Sequence, residues 1–327
     1  MDVIKMKWCK KCVLPDTRPG LEFDADGVCS ACRASHKKTS IDWSKRQKHL
    51  LELIDWAKSR SDGYDCLIPV SGGKDSTWQT AKCLEYGLKP LTVTWRPPGR
   101  TKIGQKNLEN LVSLGVDHID YRISPKVEAL FLRKALERFG AAGIPMHMAI
   151  FNIPLTIARN FKIPLVIWGE NSEAEYGGTN ESIMGFEFNS NWVKQWGVTH
   201  GTTAQDWVDD TLSRKDLTAY FGPEPEQLRD AGVKAVFLGH FLKWDPVEIA
   251  KIAQTYGFEP ATNGARTGIY EFADIDDDFI SVHHWFKWYK FGFTRSFDNL
   301  SLEIRNNRIS RDEAVKIITE LGDQTPL

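Results

Sequence analysis

Two stretches of this chain hold side chains whose types and spacing can do chemistry, and a third adds carboxylates. Cys9-x-x-Cys12 and Cys29-x-x-Cys32 lie sixteen residues apart, which is the spacing of a tetrathiolate zinc ribbon or knuckle. A tight turn under each pair would aim two thiolates at one point, so that Cys9, Cys12, Cys29 and Cys32 close a tetrahedron around Zn2+. A closed set leaves no open position, so a zinc held this way is structural. His36 is read as a bystander. Cys66 and Cys83, isolated among apolar residues, are read as core.

The second stretch is Ser71-Gly72-Gly73-Lys74-Asp75-Ser76. It follows an apolar run and opens a helical pattern, the context that a phosphate cradle needs. Gly72 and Gly73 would let the backbone approach an anion without a clashing Cβ. Free N–H groups at a helix start favour negative charge, Lys74 adds a mobile cation, and Asp75 could hold Mg2+ bridging phosphate oxygens. The string lacks the Walker A pattern G-x-x-x-x-G-K-[ST]. The third stretch, Trp168-Gly169-Glu170-Asn171-Ser172-Glu173-Ala174-Glu175, sets three carboxylates at the end of another apolar run, where they suit Mg2+ or a polar substrate.

Elements that position these groups follow from the patterning. Apolar runs at 66–70, 91–95, 118–123, 165–168 and 233–239 read as strands. Helical patterns at 78–86, 106–114, 127–139 and 146–161 fall between the first four. This alternation implies βαβ units and a parallel sheet covered on both faces, an α/β fold, with ligands at the carboxyl ends of the strands. Residues 1–36 form a small module that needs a staple. Residues 37–60 carry a linking helix with Leu50, Leu53, Ile54 and Ala57 at helical spacing. The α/β domain spans 61–245, broken by an insertion at about 175–230 that includes a polar helical piece around 207–220. Residues 246–327 form a helical, aromatic C-terminal region that ends in a helix near 310–321.

Composition excludes several classes. At 42% hydrophobic and 26% charged residues the chain should fold as an ordinary globular protein. A net charge of −1 gives no general attraction for polyanions, so no nucleic-acid partner is expected. No membrane span and no secretory signal are read, and a cytoplasmic address is expected by default.

The loop resembles that of the PP-loop ATP pyrophosphatases (adenine nucleotide alpha hydrolase-like fold), which cleave ATP between the α and β phosphates. That resemblance implies ATP on Ser71, Gly72, Gly73, Lys74, Asp75 and Ser76, with Lys74 and the loop amides stabilising departing pyrophosphate. It also implies nucleotide contacts from Thr94, Trp95 and Arg96 at the end of the second strand and from Gly169. Combined with the cysteine module, GENSEAEYGG at 169–178 and KFGFTR at 290–295, the whole chain resembles the N-acetyl sugar amidotransferases of bacterial surface-polysaccharide pathways. The implied reaction converts a sugar acetamido group to an acetamidino group through an adenylylated amide, with Lys74, Asp75 and Glu170 as catalytic residues. The implied partners are a nucleotide-linked or free N-acetylated sugar, and a glutaminase with a synthase-like companion that delivers ammonia. His147, Glu175, Lys243, Arg266 and Arg295 are the residues expected to touch the sugar. A tRNA-modifying thiolase or lysidine-type ligase on the same fold is the alternative. It is weakened by the absence of a second cysteine set near the loop.

Overall fold

The computed structural model describes residues 6–171, 175, 185–188, 192–193 and 197–325. Five parallel strands form one sheet: β1 (Cys66–Pro69), β2 (Pro90–Trp95), β3 (Asp117–Tyr121), β4 (Leu165–Trp168) and β5 (Lys234–Phe237). Their order is β3-β2-β1-β4-β5. Cys66 pairs with Pro90 on one side of β1 and with Leu165 on the other. Strand order therefore reverses at β1 and β4, and the crevice at their carboxyl ends is the topological switch point of a doubly wound sheet.

The strands are short, and the central ones, β1, β2 and β4, are buried on both faces, as parallel strands must be when helices cover both sides, while the edge strand β3 is partly exposed. Alternate side chains of β1 feed two different cores. Leu67 joins a cluster with Leu91, Val93, Phe131, Ile144 and Ile153, over which lie α5 (Pro125–Phe139) and α6 (Gly143–Asn160). Cys66 and Ile68 join Leu50, Ile54, Trp78, Leu108 and Ile249, brought by α2 (Trp43–Lys58), α3 (Lys74–Glu85), α4 (Lys102–Val112) and the helix Pro246–Thr255. A third cluster joins Cys9, Cys12, Leu14 and Cys29 to Phe293, Phe297, Leu300 and Ala314. The N-terminal module, with its helix α1 (Ser30–Lys38), thus packs on the helices Arg295–Arg305 and Arg311–Leu321.

Several elements begin earlier than the patterning predicts. α3 starts at Lys74, four residues before the expected 78, because Gly73 already holds extended backbone at its N-cap and the helix opens directly from the cradle. α4 starts at Lys102 because the Thr101 side chain accepts from the Gly104 N–H at 2.9 Å and caps it. The expected helix around 207–220 is corrected to two short 3-10 turns, Ala204–Trp207 and Thr218–Tyr220. The Asp209 carboxylate accepts from the N–H groups of Thr211 and Leu212, and Asp216 accepts from Ser213 N–H. Such short polar side chains compete with the helical ladder for backbone donors. Ser172 to Ala174 and Tyr176 to Gly178 of the acidic stretch lie outside the described residues.

Candidate active site

The cradle loop lies at the switch point. Gly72 has φ +88°, and a Cβ there would sit 2.6 Å from the Leu108 backbone nitrogen. Gly72 is therefore required by close packing against α4, a different reason from the anion approach that the sequence suggests. Gly73 faces the pocket, and only the Ser71 Oγ, at 3.2 Å, would meet an added Cβ there. The Ser76 hydroxyl receives the Gly72 N–H at 3.2 Å and donates to the Gly73 carbonyl at 3.0 Å, which fixes the loop from within. No side chain caps α3, so the first N–H groups of the helix are left for a ligand.

Around this loop closes a pocket lined by Ser71, Gly73, Lys74 and Asp75 after β1 and by Glu170 after β4, with Glu175, Asp274, Asp276 and Arg295 completing its charged wall. Lys74 is buried, its Nζ 2.6 Å from Asp75 Oδ2 and 5.5 Å from the centre of the Phe272 ring. The other Asp75 oxygen, Oδ1, and Glu170 Oε1 are shielded from solvent without a hydrogen-bond partner. Burial, with Glu175 and Asp75 nearby, raises the Glu170 carboxyl to about 7. Burial likewise raises Asp276, against a hydrogen bond from Ser71. Burial would also raise Asp274, but Arg295 and His284 hold it well below the ordinary carboxylate value.

Carboxylates outnumber cations in this pocket, so a nucleotide triphosphate could enter only with a divalent cation. Asp75 and Glu170 offer unpartnered oxygens for Mg2+, which suits an ion that takes one or two carboxylates and fills its remaining positions with phosphate and water.

Sulfur donors behave differently. Among the described residues, Cys9, Cys12, Cys29 and Cys32 are the one set of three or more ligand atoms gathered closely enough for a metal, all within 4.8 Å of one another. Cys12 Sγ to Cys29 Sγ is 3.6 Å and Cys9 Sγ to Cys32 Sγ is 4.0 Å. These bracket the ~3.8 Å edge of a tetrahedron with Zn–S near 2.3 Å. Backbone N–H groups of Lys11, Cys12 and Cys29 point at Cys9 Sγ, and hydrogen bonding from Cys12, Cys29 and Cys32 holds that thiol well below its ordinary value. The residues fit a structural Zn2+.

Sequence-predicted residues divide into three groups. Lys74, Asp75, Glu170, Glu175 and Arg295 meet in the pocket. Lys243 lines a neighbouring cleft. Thr94, Arg96, His147 and Arg266 are not in the pocket wall. Thr94 donates its hydroxyl to the Val70 carbonyl at 2.7 Å and supports the base of the cradle. Arg96 is exposed beside Asp120 at 3.6 Å. The His147 ring meets the Gly143 carbonyl one helical turn away at 2.7 Å, and Arg266 pairs with Asp278. Gly169 sits behind the wall, where an added Cβ would lie 3.0 Å from both Gln79 and Trp244.

Sequence reasoning missed the contribution of residues 270–277. Tyr270, Phe272, Asp274 and Asp276 cover the cradle from the C-terminal region. Their backbone is laced to the β2–α4 connection, Thr101 N–H donating to the Asp276 carbonyl at 3.1 Å and Asp278 N–H to Gly99 at 2.9 Å. Gly104 permits this approach, since a Cβ there would stand 2.6 Å from Asp276 Cα. The acidic run Asp274-Ile275-Asp276-Asp277-Asp278 was the visible signal. A buried ion-pair chain then links the pocket to the cysteine module: Asp274 to Arg295 at 3.2 Å, Arg295 to Asp298 at 3.8 Å, and Asp298 to Arg18 at 2.8 Å.

Comparison with known proteins gives a partial family match. Residues 265–326 match the family described as LPS biosynthesis protein WbpG-like, C-terminal domain. This stretch contains KFGFTR, Asp274, Asp276 and Arg295, and it agrees with the resemblance drawn from the sequence. No curated protein matches the chain. Among solved structures, an NMN synthetase from Francisella tularensis is similar at 12% identity and a TM-score of 0.37, covering 82% of this chain and 94% of its own. An NAD+ synthetase from Burkholderia pseudomallei is similar at 15% identity and a TM-score of 0.27, covering 72% of this chain and 95% of its own. A predicted subunit of a tRNA methyltransferase from Methanocaldococcus jannaschii is similar at 10% identity and a TM-score of 0.33, covering 73% and 90%. Scores this low carry no functional argument, and the fold rests on the strand order itself.

Proposed function

We propose that the chain is an ATP-dependent ligase of surface-polysaccharide biosynthesis that releases AMP and pyrophosphate and amidinates a sugar acetamido group. The observation that carries this reading is the pocket itself. An uncapped helix start and buried Lys74 face two carboxylates, Asp75 and Glu170, whose shielded oxygens have no partner. The lipopolysaccharide-biosynthesis match of residues 265–326, which supply the opposite wall, points to a glycan substrate.

The amide oxygen of the acetamido group attacks the α-phosphorus of ATP, and the α–β bridging oxygen leaves with pyrophosphate. The amides at the start of α3 and Lys74 take up the charge that develops on pyrophosphate, as preorganised donors do. Mg2+ on Asp75 and Glu170 would neutralise phosphate oxygens. Ammonia then adds to the activated carbon, AMP departs with the former amide oxygen, and the product keeps the extra proton as an amidinium. The segment 270–277 excludes water from the adenylate.

The cysteines of the chain offer no source of ammonia. Cys66 and Cys83 are both buried, and burial together with the Cys83 thiol pushes Cys66 well above its ordinary value. Neither is an exposed thiolate able to hydrolyse glutamine, so a glutaminase and a synthase-like companion would supply the ammonia. The test supplies the purified chain with MgATP, an N-acetylated sugar substrate and isotopically labelled nitrogen donors. Labelled amidine from ammonium, and none from glutamine until a glutaminase is added, is the expected result. Labelled amidine from glutamine with the chain alone would overturn the assignment of nitrogen source, and no amidine from either donor would overturn the reaction.

A further inference from the structure

A cleft of about 1000 Å³ opens beside the cradle pocket and shares Glu175, Trp244 and Leu302 with it. Its walls come from α1 of the cysteine module, the start of α2, the turn after β5 and the end of the helix Arg295–Arg305. Arg33, Lys37, Lys38, Arg46, Lys243 and Arg305 line it, against the carboxylates Glu22 and Glu175. This excess of positive charge stands in a chain whose net charge is −1, so it is local to the cleft.

Arg46 is held by the protein, its Nη1 donating to the His240 carbonyl at 2.7 Å, and other cations of the cleft are only partly committed. Lys38 pairs with Glu175 at 2.5 Å, and Arg33 lies 3.3 Å from Asp24. Arg305 donates from Nη2 to the Glu175 carbonyl at 3.1 Å, while its Nη1 is shielded from solvent with no partner. Lys37 and Lys243 are exposed. Burial, with Arg46 and His49 alongside, lowers His240 on the same wall to about 4. Trp43 and Trp244 offer apolar faces between the charges. A cleft lined with one sign of charge concentrates the opposite sign, and a shielded guanidinium nitrogen is satisfied by a phosphate oxygen.

We infer that this cleft seats the phosphate-bearing end of the sugar substrate, with α1 of the cysteine module supplying three of its cations, while the acetamido group reaches the cradle past Trp244. The inference rests on the reading of the cradle pocket as the reaction centre. It gives the metal-stapled module a second task, because Cys29 and Cys32 anchor the start of the helix that presents Arg33, Lys37 and Lys38. A phosphate on a nucleotide-linked sugar and one on a simple sugar phosphate share the same recognition chemistry.

The test measures binding by calorimetry, with a non-hydrolysable ATP analogue and Mg2+ already bound, using UDP-N-acetylglucosamine, N-acetylglucosamine 1-phosphate and N-acetylglucosamine as probes. Phosphorylated probes should bind more tightly than the neutral sugar. Tighter binding of the UDP-sugar assigns the anion to a diphosphate, and equal binding of the two assigns it to a monophosphate. Because Lys37 and Lys243 are exposed, Lys37→Glu and Lys243→Glu together should keep the melting temperature and the affinity for the ATP analogue. They should weaken the phosphorylated probes by roughly tenfold or more. Equal binding of all three sugars, or unchanged affinity in the double variant, would overturn the inference. Loss of ATP-analogue binding in the unmodified protein would instead overturn the cradle assignment.

Discussion

At the residue scale, the proposed chemistry turns on Lys74 and Glu170. Lys74 is buried against Phe272 and pairs with Asp75, so its charge is directed at the cradle. Lys74→Ala should lower kcat by at least about 10²-fold, the scale seen when one preorganised donor is removed, with little change in melting temperature. A variant with near-normal turnover would show that the nucleotide reacts elsewhere. Glu170 carries a pH signature. Its carboxyl rises from an ordinary 4.5 to about 7 in the folded chain, so between those values the native protein keeps a proton that the unfolded chain has lost. Ionising Glu170 therefore costs native stability as pH rises through that window. In metal-free buffer the melting temperature of Glu170→Gln, relative to the unaltered protein, should climb from pH about 4.5 to about 7 and then level off. A difference that ignores pH would mean that Glu170 is not shielded as described.

Elements decide how much of this was legible beforehand. The Ser71–Ser76 string could be read because the loop, its strand and its helix are contiguous, and local sequence carries all three. The cysteine spacing was legible for the same reason. Asp274 and Asp276 were not, because they reach the cradle only when a segment some two hundred residues later in the chain docks on the β2–α4 connection. Periodicity says nothing about such docking. The early start of α3 was hidden because Gly-Gly-Lys-Asp-Ser-Thr is polar and shows no apolar period, although Gly73 sets the N-cap. Thr94 lay on the expected strand but points back to Val70, because successive strand residues face opposite ways. The cysteine module is an element whose support is testable. Arg311 donates to the carbonyls of Cys9 and Cys12 at 3.3 and 3.1 Å, and the module shares a core with the last two helices. Purified protein should contain about one zinc per chain. Cys9→Ser should raise amide hydrogen exchange in α1 and in Arg295–Arg305 and Arg311–Leu321, leaving β1, β2 and β4 protected. Uniform deprotection of the sheet would contradict this division.

At the scale of the whole molecule, the candidate pocket is lined by two parts of the chain and braced by a third. The doubly wound sheet contributes the cradle and Glu170, the C-terminal region contributes the cover from Tyr270 to Asp276, and the N-terminal module is tied to that C-terminal region through Arg18 and Asp298. Among the described residues no helix is long and apolar enough to cross a membrane. The central claim is that this assembly cleaves ATP between its α and β phosphates to activate a carbonyl oxygen. The most direct measurement incubates the chain with MgATP, ammonium and an N-acetylated sugar substrate, and separates the nucleotide products. AMP and pyrophosphate should appear in equal amounts with the amidinated sugar, whereas sugar-dependent formation of ADP and phosphate would contradict the account.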